Sequence, residues 1–431
     1  MKIRFGNIFI CTSLALTLTL FIAAKISGSE LSIISWVNAS RLISLLGTTL
    51  LAISFLLSSR FSFLENWFGG LDKVYRLHHV VGGLSFVFLL HHPLFLLVSV
   101  LPNLTSGWKY IWFSNILSFN YGLTSLYFML LMILLTLFIK LPYSVWKKTH
   151  ELMGIALIFA TLHIITITSD VSRFMPLRYW IFFLLFISII SAFYRRFLYR
   201  FIGPKFDFLI KAIERRGDVL VLDLQPVNKE MKPLPGQFIF IRFEGVGNEA
   251  HPFSIFSIGL DGTLRIGVKI LGDHTLQMIS LVAGKKAVAW GPYGKFWESY
   301  FSKKDLIMIA GGIGVTPFLS MIEQENRTES NRKESNRNIT LIYCVKNTQE
   351  AVFDADIKNL IFNSSNITYF PYSSEDLGRI ESNKIMKITG DLSGKKIMIC
   401  GPNSMMTSLT DQFLKLGVKN RDIIFEDFNL K

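Results

Sequence analysis

Six stretches of about 20 apolar residues fill the first 200 positions of the chain, and nothing after Arg200 resembles them. They lie near residues 8–26, 38–58, 74–101, 117–140, 142–169 and 172–198. Lipid offers the backbone no hydrogen-bonding partners, so runs of that length are expected to be membrane-spanning helices. The first run also has features of a signal peptide, with Lys2 and Arg4 ahead of it and Ala23 and Ala24 at its end. The charge distribution favours keeping it as a helix. With the N-terminus inside, twelve Lys and Arg fall in inner segments, Arg60, Lys147, Lys148, Arg195 and Arg196 among them, and only Lys25, Arg41, Lys109, Arg173 and Arg178 fall outside. The expected protein is a multi-pass protein of the cell (inner) membrane, with its C-terminal half cytoplasmic.

The net charge of +14 calls for no nucleic acid, because inner loops facing anionic lipid head groups account for much of it. The cysteines, Cys11, Cys344 and Cys400, are scattered between a span and the C-terminal half, a distribution unlike a disulfide framework.

Six of the eight histidines sit in two spans: His78, His79, His91 and His92 in the third, His150 and His163 in the fifth. Ionisable side chains at membrane depth are costly and point to function. A low-spin haem held between two helices takes one imidazole from each. His78 and His92 are fourteen residues apart, about 3.9 turns and roughly 21 Å of rise, so they share a face at two levels. His150 and His163 are thirteen apart, about 3.6 turns, which requires either rotated haems or a bent helix. Both spans start inside, which pairs His78 with His150 near the cytoplasm and His92 with His163 near the outside. His79 and His91 are the second choices.

These pairs, with RLHH (76–79), HHPL (91–94) and KTHELMG (148–154), resemble the ferric reductase-like transmembrane domain shared by NADPH oxidases and ferric reductases. The resemblance implies two b-type haems, ligated by His78, His92, His150 and His163 rather than by their neighbours. It also implies a role beside the outer haem for Arg41, near the outer end of the second span.

The C-terminal half has a different grammar. LPGQFIFIRF (234–243), HPFSIFS (251–257) and LRIGVKILGDHT (264–275) read as short strands of a small antiparallel barrel. An apolar strand then runs into glycines and a helix in DLIMIAGGIGVTPFLSMI (305–322), where the backbone and a helix N-terminus can meet a phosphate. Between Glu323 and Asn338 the chain reads as a flexible solvated loop, with ESNR repeated.

PGQF, HPFS, Lys269-x-x-Gly272-x-x-Thr275 and GPYG (291–294) together resemble the flavin barrel of the ferredoxin reductase family, and AGGIGVTPFLS with KKIMICGP (395–402) its nicotinamide domain. By that resemblance His251, Pro252, Phe253, Ser254, Lys269, Gly272 and Thr275 bind FAD. Gly311, Gly312, Gly314, Thr316 and Pro317 belong to the NADPH (or NADH) site, Cys400, Gly401 and Pro402 face the nicotinamide, and Phe428 covers the flavin. Lys346 and Arg379 are the candidate cations for an adenosine 2′-phosphate.

The expected fold is therefore a multi-domain membrane protein: a six-helix transmembrane di-haem bundle (1–200), an antiparallel β-barrel FAD domain (204–300) and an α/β nucleotide-binding domain (301–431). The expected function is electron transport from cytoplasmic NADPH through FAD and two haems to an extracytoplasmic acceptor. Dioxygen, giving superoxide, is favoured, with a ferric chelate or relay to a partner protein as alternatives. Nothing in the sequence demands a protein partner.

Overall fold

The computed structural model describes residues 5–28, 35–101, 103–302, 304–329 and 337–426. The chain forms two compact units, described in turn: one built from most of residues 2–201, the other from residues 202–431 with a few residues of the first part.

The first unit contains six helices long and apolar enough to cross a membrane: α1 (Phe5–Ser27), α2 (Trp36–Ser58), α3 (Leu71–Ser99), α4 (Leu117–Phe138), α5 (Val145–Thr166) and α6 (Met175–Ile202). α2 is the central helix, 67% buried over its apolar window against 28% or less for the others. Its sequence explains this. Ser40, Gly47, Thr48, Thr49, Ala52 and Ser54 are small, and small residues let helix backbones approach where no hydrophobic effect drives packing.

The α2–α3 seam advances in steps of seven residues. Ser40 meets His92, the Ser85 hydroxyl donates to the Gly47 carbonyl at 2.9 Å, and Ser54 meets His78. The numbering rises on one helix as it falls on the other, so the helices are antiparallel, and the seven-residue period is that of a left-handed crossing. At the midpoint a Cβ on Gly47 would stand 2.9 Å from the Leu89 side chain, so the contact admits glycine alone without movement. α1 joins α2 and α6 through one hydroxyl: Thr17 Oγ1 lies 2.9 Å from Thr49 Oγ1 and accepts from Trp180 Nε1 at 2.8 Å.

α5 is interrupted. Helix Tyr143–Glu151 gives way to Met153–Thr166 at Leu152, whose N–H reaches back to the Thr149 carbonyl as in a 3₁₀ turn. The sequence reading also omits the short helix Ser62–Phe68, whose Trp67 packs edge-on to Phe5 and Phe63.

The second unit begins with six strands: β1 (Lys205–Arg216), β2 (Val219–Pro226), β3 (Phe238–Phe243), β4 (Val246–Ile258), β5 (Leu264–Lys269) and β6 (Lys286–Tyr293). They close as an antiparallel barrel in the order β1-β2-β5-β4-β3-β6, around a core that includes Phe208, Leu222, Ile239, Ile241, Leu264 and Ile266. Five parallel strands follow: β7 (Leu306–Gly311), β8 (Ile339–Val345), β9 (Ile367–Ser373), β10 (Lys396–Cys400) and β11 (Ile423–Phe425). Their order, β11-β10-β7-β8-β9, puts the topological switch between β7 and β10. Helix α7 (Thr316–Glu329) leaves that switch and is fastened to the barrel: Glu323 accepts from the Ser257 hydroxyl at 3.0 Å, and Arg327 donates to the Ile258 carbonyl at 2.6 Å.

One expectation is corrected here. Glu323–Glu329 is not loop but the continuation of α7, and both flanks of the repeat segment are anchored. Glu325 and Arg337 are buried and paired at 2.7 Å, with the Tyr300 hydroxyl donating to Glu325 and the Arg337 guanidinium stacked over the Tyr300 ring. Composition alone reads both as solvated charges, because the closing aromatic comes from a distant part of the chain. Removing one partner of a buried pair strands the other charge. Arg337→Met should therefore lower stability by about 3 kcal/mol. The double change Glu325→Met/Arg337→Met should recover most of it, as measured by thermal melting of the purified full chain.

Candidate functional site

Each of three spanning-helix histidines has one ring nitrogen fixed by a backbone carbonyl from a neighbouring helix. His78 Nδ1 lies 2.9 Å from the Ser54 carbonyl and 3.0 Å from Ser54 Oγ. His92 Nδ1 lies 3.1 Å from the Ser40 carbonyl and 2.8 Å from Ser40 Oγ, whose hydroxyl also donates to the His92 carbonyl at 2.7 Å. His163 Nδ1 lies 2.7 Å from the Ser118 carbonyl, and a Cβ on Gly122 would stand 3.0 Å from that nitrogen. A carbonyl only accepts, so Nδ1 carries the hydrogen and Nε2 keeps the lone pair that binds a metal.

The four rings form two levels. His78 and His150 are 6.0 Å apart between ring centres. Two imidazoles sharing one iron at about 2 Å per bond place their ring centres roughly 6 Å apart. His92 and His163 lie within electrostatic reach of each other at the other level. The first pair fits a haem, and His92 and His163 offer the same kind of donors. Of the remaining histidines, His79 is exposed and also within reach of His150, and His91 Nδ1 lies 2.7 Å from the Val87 carbonyl of its own helix.

Sequence reading missed the serines, although a signal was present: Ser40 and Ser54 are fourteen residues apart, the same separation as His78 and His92. Arg41, the residue after Ser40, has its Nη1 3.8 Å from Asp170 Oδ1.

In the barrel, β4 carries His251, Pro252, Phe253 and Ser254 opposite Ile241, Phe240, Ile239 and Phe238 of β3. His251 stacks on His274 with ring centres 3.6 Å apart. His274 Nε2 is buried and has no hydrogen-bond partner among the described residues, a polar atom that a bound ligand would satisfy. Burial, reinforced by the neighbouring His251, pushes the His274 imidazole down to about 4. Gly272 and Thr275 engage each other: Thr275 Oγ1 accepts from the Gly272 N–H at 3.0 Å and donates to its carbonyl at 2.9 Å. Lys269 faces carboxylates, Asp218 at 3.2 Å and Glu350 at 3.8 Å.

At the sheet switch the glycines divide into two kinds. A Cβ on Gly314 would stand 2.3 Å from the Cys400 carbonyl oxygen, and one on Gly401 2.9 Å from Gly311 Cα, so these three glycines let the ends of β7 and β10 pack together. Gly312 differs. Its φ of +53° lies in the left-handed region, and nothing stands within 4 Å of its would-be Cβ. That opening, ahead of the α7 N-terminus with Thr316 and Pro317, fits a phosphate. Thr316 Oγ1 is committed to the Ile313 carbonyl at 2.9 Å. Cys400 is 1% exposed and packs in the core, with Gly401 and Pro402 following it at the strand end.

Lys346, after β8, is exposed and 3.5 Å from Glu375, and Arg379 is exposed beyond β9. Phe428 lies outside the described residues. Glu426, just before them, was missed from sequence. It is 3% exposed, and its Oε1 would stand 2.7 Å from a Cβ on Gly294 of the GPYG turn.

The chain matches three families in succession: ferric reductase like transmembrane component over residues 43–162, FAD-binding domain over 207–339 and oxidoreductase NAD-binding domain over 308–411. It is 28% identical over 161 residues to a superoxide-generating NADPH oxidase heavy chain of Dictyostelium discoideum, covering 32% of this chain and 23% of that one. It is 30% identical over 169 residues to ferric reduction oxidase 8, mitochondrial, of Arabidopsis thaliana, covering 36% and 22%. The chain thus spans less than a quarter of the length of either relative. Among solved structures, flavohemoglobin from Malassezia yamatoensis with bound FAD and heme superposes with a TM-score of 0.53 at 15% identity, over 90% of this chain and 96% of that one, a likeness of fold.

The low value for His274 has a pH consequence. The unfolded chain binds this proton near 6.5 and the folded chain only near 4, so the stabilisation is complete above pH 6.5 and is lost as pH falls toward 4. Flavin-free protein should lose melting temperature between pH 7 and 5, and His274→Asn should make that slope shallower. An unchanged slope would place the proton uptake elsewhere.

Proposed function

Because the chain belongs to the ferric reductase-like transmembrane NAD(P)H/FAD oxidoreductases, we propose that it carries electrons from cytoplasmic NADPH, through FAD and two b haems, to dioxygen on the other side of the membrane, giving superoxide. The observation that carries this reading is the pair of histidine levels, roughly 21 Å apart along α3, with the Nδ1 of His78, His92 and His163 held by backbone carbonyls and their Nε2 left to bind a metal. That separation spans most of a hydrocarbon core of about 30 Å. Basic inner loops support placing the nicotinamide side in the cytoplasm and the protein in the cell membrane.

In this reading His78 and His150 hold the inner haem and His92 and His163 the outer one. Bound haem supplies one-electron carriage, and bound flavin supplies the change from a hydride to single electrons. The chain's own residues do the rest. Ser54, Ser40 and Ser118 fix the imidazole tautomers and orientations. Pro252, Phe253 and Ser254 line the flavin, and His274 offers it a polar contact. Gly312 and the first turn of α7 receive the pyrophosphate, while Lys346, a point charge, and Arg379 favour NADPH over NADH near the adenosine. Arg41 stabilises negative charge where the acceptor is reduced.

Reduction of a ferric chelate at the same exit is the second reading, supported by the likeness to a ferric reduction oxidase.

Purified protein supplied with NADPH should reduce cytochrome c in a reaction abolished by superoxide dismutase. Persistence of the signal would mean direct reduction and would remove the oxidase reading. His78→Leu or His150→Leu should halve the haem content and stop transfer, whereas His91→Leu should leave both haems in place.

A further inference from the structure

A charged cluster lies beside the outer histidine level, and of its members only Arg41 has been given a role. Lys25, on α1, is 1% exposed. Its ammonium donates to Asp170 Oδ1 at 2.9 Å and sits 5.3 Å from the centre of the Phe21 ring. Asp170 is 6% exposed, and its second oxygen is buried with no hydrogen-bond partner among the described residues. The same Oδ1 that accepts from Lys25 lies 3.8 Å from Arg41 Nη1, whose side chain is 29% exposed. Arg41 is also within 3.5 Å of Asn38 Oδ1.

Holding an ion pair inside an apolar bundle costs several kcal/mol of desolvation, and an apolar pair of similar volume would fold as well. The pair is nevertheless firmly built. Asp170 opens the short helix Asp170–Arg173, whose start is tied by reciprocal Ser169–Ser172 bonds and whose carbonyls of Val171 and Ser172 accept from Arg178. A carboxylate on so rigid a turn has a fixed position relative to α2. Ser40, one residue before Arg41, is the residue that fixes His92. One helix turn thus carries both the support of the outer histidine and a guanidinium 3.8 Å from Asp170, which is itself held by Lys25.

We propose that Lys25 and Asp170 are positioning residues: they aim Arg41 at the point where electrons leave the protein, and so set its affinity for a small oxygen-bearing acceptor. The inference rests on the transmembrane reading given above but not on which acceptor is used. Lys25 holds Asp170 in place and limits its pull on Arg41, so that the part-exposed guanidinium stays turned toward the acceptor. Without Lys25, Arg41 closes onto Asp170. Without the Asp170 charge, Arg41 loses its anchor.

The test uses the full chain in lipid nanodiscs, with haem content, melting temperature, kcat and acceptor KM measured together. Lys25→Met and Asp170→Asn should keep both haems and raise KM for dioxygen about fivefold or more while kcat stays within about twofold, and Lys25→Arg should restore KM. The exchange Lys25→Asp/Asp170→Lys separates positioning from stapling. It rebuilds the ion pair and should restore melting temperature, yet it sets a cation beside Arg41, so KM should stay high. Wild-type KM in Lys25→Met, or in the exchange variant, would overturn the proposal. If the single variants lose haem, Lys25→Arg and the exchange variant decide by the same criterion. Should the wild type reduce a ferric chelate and not dioxygen, the acceptor assignment fails, and the same ordering of KM for the chelate decides this proposal.

Discussion

The α2–α3 seam is the contact on which the membrane unit depends. Three meetings at seven-residue steps, Ser40 with His92, Gly47 with Ser85 and Ser54 with His78, set the register of the two helices and the tautomers of two histidines together. A slip of one residue would turn both imidazoles away from the serine carbonyls and drive a larger side chain against Leu89. Packing and chemistry thus share the same atoms. α1 and α6 then gather on α2 through the Thr17 hydroxyl, and the rigid turn after α5 brings Asp170 to Arg41.

The second unit uses a comparable economy. Gly311, Gly314 and Gly401 allow the ends of β7 and β10 to come together, and this close approach creates the switch at which Gly312 lies open. α7 runs from that opening to the β4 strand of the HPFS motif, fastened through Glu323 and Arg327. The two nucleotide-type sites therefore belong to one compact body with a continuous core, in which Phe256 of the barrel packs with Phe353 of the sheet domain.

Much of this was legible in the sequence because the signals were periodic or local. Six apolar runs gave six helices to within a few residues at most ends, and fourteen-residue spacing put His78 and His92 on one face. Thirteen-residue spacing on α5 called for a bend or a rotation, and the helix breaks at Leu152. What escaped depended on contacts distant in sequence. Glu325 and Arg337 look solvated until Tyr300 closes over them, Glu426 is unremarkable until Gly294 meets it, and Lys25 counts only as an outside charge until Asp170 arrives from 145 residues away. Ser40 and Ser54 are the exception, since their spacing repeats that of the histidines and could have been read.

In the function proposed, electrons cross the membrane along the two histidine levels. The most direct test is a sealed vesicle containing the protein, with a membrane-impermeant one-electron acceptor trapped inside and NADPH added outside. With the C-terminal half facing outward, the trapped acceptor should be reduced at the rate of NADPH oxidation, and reduction should stop when His92 is replaced by Leu. If the acceptor is reduced only when it shares the compartment of the NADPH, the transmembrane route does not exist.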